Sequence, residues 1–290
     1  MSLKVELKDE AGMLLVQTPG EDELLFPYVW LRDNCQCSKC FYPVSQARIL
    51  LLADLKLDDK PKHVELENNG EIVYLVWSDG HRSPYPISWL KERAFTESAK
   101  QKRSKVYRRT KKLWGSEFKD ILPKFDFEKV QKDDKEFYKW MKNLEEYGFV
   151  LLRNAARETG QVKKMGERVA YLKNTHYGET FTVQCKQDAN NLAFTGLKLG
   201  LHTDLAYYHY GPGIQMLHCI EQYEGEGGEN DFSDGFYVAQ LTKERSPEEY
   251  KTLETTPIDF WDVGEDVIKF HKVIPNYMFG KSGFKVFTKM

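Results

Sequence analysis

Three of the five cysteines fall within six residues, Cys35, Cys37 and Cys40 in a C-x-C-x2-C run, and that spacing constrains the N-terminal part of the chain more than any other feature. In a reducing compartment, clustered thiols with an odd total point to a metal site and not to a disulfide framework. The chain doubles back over that distance, so three thiolates can converge on one ion. A closed tetrahedral zinc site then needs a fourth ligand from elsewhere. His81, in the turn Ser78-Asp79-Gly80-His81, is the best-placed donor, and His63, in a lysine-rich loop, is the weaker alternative. Such a site staples a small unit whose own core is modest.

The surroundings of that cluster read as a β-rich unit over residues 1–95. Val5–Leu7, Met13–Gln17, Leu24–Phe26 and Ile72–Trp77 are short strand patterns separated by turn signals. Ile87–Arg93 reads as a short helix with Ser88 as its N-cap. From Lys100 to Lys112 there are eight Lys or Arg and no acid, which makes 96–124 a basic connector. Its aromatic interleaving is too thin for a base-stacking surface. The whole chain balances 42 Lys+Arg against 44 Asp+Glu, a formal charge of −2, unlike a dedicated nucleic-acid binder. Apolar residues at 41% argue against disorder, and no apolar stretch approaches the roughly 20 residues of a membrane span. The N-terminus lacks the order of a signal peptide or presequence, so a cytoplasmic location is expected.

A second unit is expected over 125–290. Phe127, Val130, Phe137, Trp140, Met141 and Leu144 recur with helical period, and Gly148 ends that helix. Phe149–Leu152 is a buried-strand candidate, and Glu158–Leu172 is a further helix. Strands rich in Gly, His and aromatic residues are expected from there to about Val238, and Ser246-Pro247-Glu248-Glu249 starts another helix. Within the strand-like segment, Leu199-Gly200-Leu201-His202-Thr203-Asp204 carries the most specific chemistry. Residues two apart in a strand share a face, so His202 and Asp204 can present an imidazole nitrogen and a carboxylate oxygen together. That is two-thirds of the 2-His-1-carboxylate triad of non-haem iron oxygenases.

Several separate motifs then occur in one order. Trp30-Leu31-Arg32-Asp33-Asn34-Cys35-Gln36-Cys37, Asp79-Gly80-His81, Asp188-Ala189-Asn190-Asn191, His202-Thr203-Asp204, Gly213-Ile214-Gln215 with Leu217-His218-Cys219, and Asp234-Gly235-Phe236 resemble the gamma-butyrobetaine dioxygenase family, with trimethyllysine dioxygenases as its relatives. The resemblance runs from about Tyr28 to about Ile268. It implies a mostly β fold with flanking helices: a small zinc-binding N-terminal β domain, then a double-stranded β-helix (jelly-roll) oxygenase domain of the TauD type. It also implies Fe(II), 2-oxoglutarate as co-substrate, ascorbate and structural zinc. The implied reaction hydroxylates a small trimethylammonium substrate, gamma-butyrobetaine first and trimethyllysine as the alternative. It places zinc on Cys35, Cys37, Cys40 and His81, and iron on His202 and Asp204. The aromatic cage for the trimethylammonium group falls on Tyr177, Phe181 and Phe194, where the family typically has Tyr, Trp and Tyr; Phe is a weaker cation partner than Trp. Asn191 matches a residue near the substrate carboxylate and the co-substrate. Leu205 stands where Tyr is usual, with Tyr207 or Tyr208 available to compensate. No nucleic-acid or membrane partner is implied, and a homodimer fits a family whose members often pair.

In that family the second iron-binding histidine and the arginine that grips 2-oxoglutarate lie well over a hundred residues past the H-x-D motif. The sequence runs 86 residues beyond Asp204 and holds no His-Gly-Arg near Met290. The expectation is therefore an incomplete double-stranded β-helix, C-terminally truncated, with weak Fe(II) binding and little turnover. The alternative of another class is a non-catalytic paralogue serving binding or assembly. His271, with Lys281 or Lys285 downstream, has ligand-like spacing. Its local run Phe270-His271-Lys272-Val273-Ile274 resembles a non-ligand segment, so His271 is not expected to bind iron. His218 reads as a core histidine, His209 as a rim residue and His176 as pocket-lining.

Overall fold

A computed structural model describes residues 3–107, 110–189, 191–265, 269–278 and 287–289. The chain divides into two units, residues 1–109 and 110–290. In the first, β1 (Lys4–Lys8), β2 (Met13–Gln17) and β3 (Leu24–Pro27) form an antiparallel sheet in the order β1-β2-β3. Helix α1 (Tyr28–Asp33) follows, then the two-residue strands β4 (Phe41–Tyr42) and β5 (Ala47–Arg48). A second antiparallel sheet orders β6 (Pro61–Glu67), β7 (Ile72–Trp77) and β8 (Arg82–Pro86), and α2 (Ile87–Glu92) and α3 (Glu97–Tyr107) complete the unit.

The period of two decides which residues enter the core. On β7, Val73, Leu75 and Trp77 are fully buried while Ile72, Tyr74 and Val76 are only partly so. They join Leu14, Val16, Phe26 and Leu31 in one apolar cluster fed by both sheets. Polar tips inside it are satisfied: the Trp77 indole donates to Ser83 Oγ at 2.8 Å, and the Tyr85 hydroxyl donates to the Leu31 carbonyl. That last bond ties β8 to the end of α1.

Ser88 is not the cap of α2. The helix starts at Ile87 with Pro86 in the N-cap position, so Ser88 lies inside its first turn, and the Ile87 N–H is taken by the Glu71 carbonyl at 2.9 Å. The basic stretch is also more ordered than a bare connector. Residues 97–107 form α3, with no buried residue, and Arg103 donates to the carbonyls of Glu92 (2.7 Å) and Ala94 (2.9 Å), capping the C-terminal end of α2.

In the second unit, α4 (Phe118–Ile121) precedes β9 (Lys124–Asp126), α5 (Phe127–Lys132), α6 (Asp134–Tyr147), β10 (Leu151–Arg153) and α7 (Gln161–Val169). After a long irregular stretch come β11 (Asp231–Ser233), α8 (Gly235–Arg245), α9 (Pro247–Thr255), β12 (Pro257–Glu265), β13 (Lys269–Tyr277) and β14 (Phe287–Lys289). The helical pattern from Phe127 is split in two. Asp133 is extended, and its carboxylate accepts from the Lys135 N–H at 2.8 Å, starting α6 afresh as Asp126 starts α5. Gly148, at φ +72°, closes α6 as a left-handed cap. Phe127, Val130, Trp140 and Met165 form the core here, with Phe137, Met141 and Leu144 against it.

The strands expected between Leu172 and Val238 are largely absent among the described residues. Among the described residues the strands of this unit pair as β9 with β10, β11 with β14 and β12 with β13, outside residues 154–230, where Thr175 and Gly178 form an isolated bridge. An extended segment persists as a strand only where a neighbour takes its backbone hydrogen bonds, and alternating residues alone cannot supply one. Asp234 organises the region after it. Buried, it accepts from the N–H groups of Phe236 (2.9 Å) and Tyr237 (3.3 Å) to cap α8, and from that of Trp114 at 3.0 Å.

Candidate metal centres and aromatic pocket

In the first unit, the end of α1 and the β7–β8 turn together build a four-donor cluster. Cys35 follows the helix cap Asn34, and the N–H groups of Cys40 (3.0 Å) and Phe41 (2.9 Å) both donate to the Cys37 carbonyl, folding the three thiols onto one side of a turn. Opposite them, Gly80 adopts φ +84°, and Asp79 accepts the His81 N–H at 2.8 Å, presenting the imidazole. His81 Nε2 lies 3.2, 3.5 and 3.6 Å from the sulfurs of Cys35, Cys37 and Cys40. A tetrahedral zinc with bonds of about 2.3 Å to sulfur and 2.0–2.1 Å to nitrogen sets such atoms about 3.6 Å apart, so the donor set fits the ion. Burial pushes the Cys35 thiol up to about 12 and holds the His81 imidazole below its ordinary value, with the Arg32 charge adding to the latter. A neutral imidazole is the form that ligates. His63 is elsewhere, paired with Glu65 on β6.

In the second unit, His202 and Asp204 do meet, although not on a strand. His202 Nε2 stands 3.1 Å from Asp204 Oδ1, each side chain about a third exposed. Two bonds of about 2.1 Å at a right angle place their donor atoms about 3.0 Å apart, so this pair fits two adjacent positions on an octahedral ion. The orientation is held from behind. The Gly200 carbonyl is 2.8 Å from His202 Nδ1, which fixes the proton there and leaves Nε2 free to ligate. Gln215 Nε2 donates to Asp204 Oδ2 at 2.5 Å, leaving Oδ1 toward the imidazole. Cys35, Cys37, Cys40 and His81 are the one group of three or more such donors that converges among the described residues, so no third ligand joins the His202–Asp204 pair. His271 is exposed on β13, opposite Val263 in register, and lines an open hollow of about 650 Å³ with Val263, Gly264, Lys269 and Phe270. Lys281, Lys285 and Asn190 lie outside the described residues.

Directly after Asp204 the chain turns sharply. Leu205 takes φ +57°, and its carbonyl accepts the Tyr208 N–H at 3.1 Å, swinging Tyr207 and Tyr208 into an aromatic cluster. At its centre is His176, which stacks on Phe270 (4.1 Å, 8°), contacts Tyr177 (3.9 Å) and pairs its Nδ1 with the Tyr208 hydroxyl at 2.8 Å. Tyr177 in turn stacks on Phe181 at 4.8 Å. Burial and the adjoining Asp262 carboxylate hold the Tyr207 phenol far above its usual range, so it remains a donor. The two tyrosine hydroxyls are thus committed to Asp262, Tyr177 and His176. Asn191 donates to the Tyr177 hydroxyl at 2.9 Å. Phe194, 3% exposed, follows the same turn as Asn191, and the Lys186 ammonium sits 3.9 Å over its ring. Phe181, at 52% exposed, keeps an open face. His218 is only half-buried and lies in irregular chain, not in an apolar strand, while His209 is exposed. The roles of Gln215, Phe270 and Arg32 were not readable beforehand, because each meets its partner through the fold.

The comparisons with known proteins bear on both units. Residues 106–281 match the family described as taurine catabolism dioxygenase TauD, TfdA family, and residues 5–91 match the gamma-butyrobetaine hydroxylase-like N-terminal domain. The gamma-butyrobetaine dioxygenase of Homo sapiens is 39% identical over 277 residues, which cover 93% of this chain and 70% of that protein. That of Pseudomonas sp. is 32% identical, over 81% of this chain and 60% of the relative. The mitochondrial trimethyllysine dioxygenase of Homo sapiens is 30% identical, over 88% of this chain and 58% of the relative. With a family match across more than half its length and a relative of that similarity, the chain belongs to the TauD/TfdA family of 2-oxoglutarate-dependent dioxygenases.

Proposed function

We propose that the chain hydroxylates a small trimethylammonium substrate, gamma-butyrobetaine to carnitine, with Fe(II), 2-oxoglutarate and oxygen, and with ascorbate as external reductant. The observation that carries the reading is the His202–Asp204 pair, 3.1 Å between donor atoms, three residues from an aromatic cluster. Iron, when bound, supplies the site for co-substrate and oxygen and the oxidising power of the reaction. His202 through Nε2 and Asp204 through Oδ1 would hold it. The faces of Tyr177 and Phe181 attract a cation that cannot donate a hydrogen bond, and Phe194 adds a third face once Lys186 moves aside. Asn191 offers its amide to a substrate or co-substrate carboxylate. The packed rings of His176, Tyr207, Tyr208 and Phe270 exclude water from one side.

In this reading residues 1–95 are a zinc-binding unit held by Cys35, Cys37, Cys40 and His81, 96–124 the connector, and 125–290 a TauD-type oxygenase region. The protein works in the cytoplasm as a homodimer, on a small molecule and not on nucleic acid or a membrane. Among the described residues no helix is long and apolar enough to cross one. Among the described residues two candidate ligands meet, and a pair alone would hold iron weakly and turn over slowly. Hydroxylation of trimethyllysine instead is the alternative reading, supported by trimethyllysine dioxygenases at 30–32% identity. A non-catalytic binding or assembly module is the reading of another class, favoured by the two-ligand set.

Succinate release and hydroxylated product, followed by mass spectrometry with gamma-butyrobetaine and with trimethyllysine, decide among these. Coupled product from the first substrate, abolished by Asp204→Ala, is the expected result. Coupled hydroxylation that survives Asp204→Ala refutes the assignment, and zinc-loaded chain with no turnover on either substrate supports the binding module.

A further inference from the structure

The zinc-type cluster has a buried cation at its back. Arg32, in the last turn of α1, is 8% exposed. Its Nη1 donates to Cys40 Sγ at 3.5 Å, and its guanidinium carbon lies 5.9 Å from the centre of the Trp77 ring. Two carboxylates stand near without closing on it: Asp59 at 3.8 Å from Nε and Asp79 at 3.8 Å from Nη2. The buried Nε has no hydrogen-bond partner among the described residues. A buried guanidinium with loose carboxylates and an orphaned N–H is costly unless it faces a negative charge. Zinc with three thiolates and one neutral imidazole carries a net charge of −1. Asp79 connects the two sides, since its other oxygen accepts the His81 N–H at 2.8 Å.

We infer that Arg32 is the counter-charge and positioning residue of the Cys35-Cys37-Cys40-His81 centre, donating to the Cys40 sulfur and, through Asp79, bracing the turn that presents His81. The inference rests on the zinc reading of that cluster. A guanidinium serves where an ammonium would not, because its fork spans a sulfur and a carboxylate from one rigid plane.

The test uses the full chain, wild type beside Arg32→Gln, Arg32→Lys and Cys37→Ser, with zinc affinity read by competition against a chromogenic chelator. Arg32→Gln should bind zinc about 10–100-fold more weakly, and Arg32→Lys should lose less. Two further readouts separate this from a merely structural role. The rise in melting temperature on adding zinc should shrink in Arg32→Gln, while the zinc-free chain melts no lower than wild type, since an uncompensated buried cation has gone. In the zinc-loaded variant, Cys40 should also alkylate faster, mapped by mass spectrometry, because its sulfur has lost a donor. Zinc affinity within about threefold of wild type with unchanged Cys40 alkylation overturns the role of Arg32, as does an equal drop in melting with and without zinc. Should Arg32→Gln fail to accumulate, Arg32→Lys carries the comparison, and wild-type affinity there overturns the inference equally. A wild-type chain that takes up no zinc, or a Cys37→Ser chain that takes it up fully, overturns the cluster reading and this inference with it.

Discussion

Gln215→Leu should weaken metal binding at the His202–Asp204 pair without disturbing the rest of the unit, and the size of the loss follows from the geometry. The amide donates to Asp204 Oδ2 at 2.5 Å, while Oδ1 faces the imidazole. A hydrogen bond to a charged acceptor contributes about 1.5–3 kcal/mol where water is excluded. Here the Asp204 side chain is 33% exposed, so water can replace the lost donor and the figure falls to about 1 kcal/mol. With tenfold for each 1.4 kcal/mol, that is a loss of roughly fivefold in affinity, below the 10–100-fold usual when a better-shielded partner of a ligand is removed. Calorimetric titration of the full chain with Mn(II), or with Fe(II) without oxygen, measures it. Asp204→Ala and His202→Ala should lose well over tenfold, because each removes a ligand outright. Gln215→Leu with wild-type affinity, beside a collapsed Asp204→Ala, would show that Asp204 needs no bracing. Undiminished affinity in Asp204→Ala would remove the metal site itself.

Other residues have separable consequences. Asp234→Ala loses a helix cap, about 1 kcal/mol, and leaves the buried Trp114 N–H unpaired, about 1–3 kcal/mol more, so urea denaturation should show about 2–4 kcal/mol of destabilisation. A loss below about 0.5 kcal/mol would mean that the clip adds nothing. A chelator should lower the melting temperature of wild type but not of Cys37→Ser, and equal melting of wild type with and without chelator would contradict a structural zinc. Asp126 is held below the usual carboxylate range by Asn154 and then by the Lys129 N–H. Its stabilisation is therefore complete above the unfolded value of about 3.8 and is lost as pH falls through the lower folded value. Wild type should exceed Asp126→Asn in stability near pH 6 and converge with it in acid; a constant difference across that range would refute the capping role.

The first unit was legible where burial acts on one face. The strand pattern at Met13–Gln17 and that at Ile72–Trp77 coincide with β2 and β7, because alternation on a half-buried sheet leaves no other register. Ser88 misled because the helix already starts at Ile87, with Pro86 in the N-cap position, so Ser88 falls inside the first turn where it cannot cap it. The single helix from Phe127 misled in the opposite way. Its apolar period runs unbroken through Asp133, and all six apolar positions do reach one core, yet an aspartate that caps its own following turn interrupts the backbone without interrupting the stripe.

Ligands and the groups that hold them differ in how local they are. Three thiols within six residues must share a turn, and a histidine in a four-residue turn must point near its tip, so the four-donor cluster was readable from spacing. For His202 and Asp204 the strand argument gave the right neighbours for a reason the structure does not use. A short irregular segment, ending in the left-handed Leu205, brings i and i+2 together as well as a pleat does. What spacing could not disclose is the second layer: Arg32 behind Cys40, Gln215 behind Asp204, and Phe270 against His176, 94 positions away in sequence. Arg32 and Gln215 each donate to a candidate ligand atom and Phe270 packs the aromatic cluster, and no spacing rule ties such partners to the residues they meet. Because chemistry prescribes the ligands and only the fold prescribes their braces, variants of Arg32 and Gln215 test the structure itself, whereas variants of Cys37 and Asp204 test a pattern already visible in the sequence.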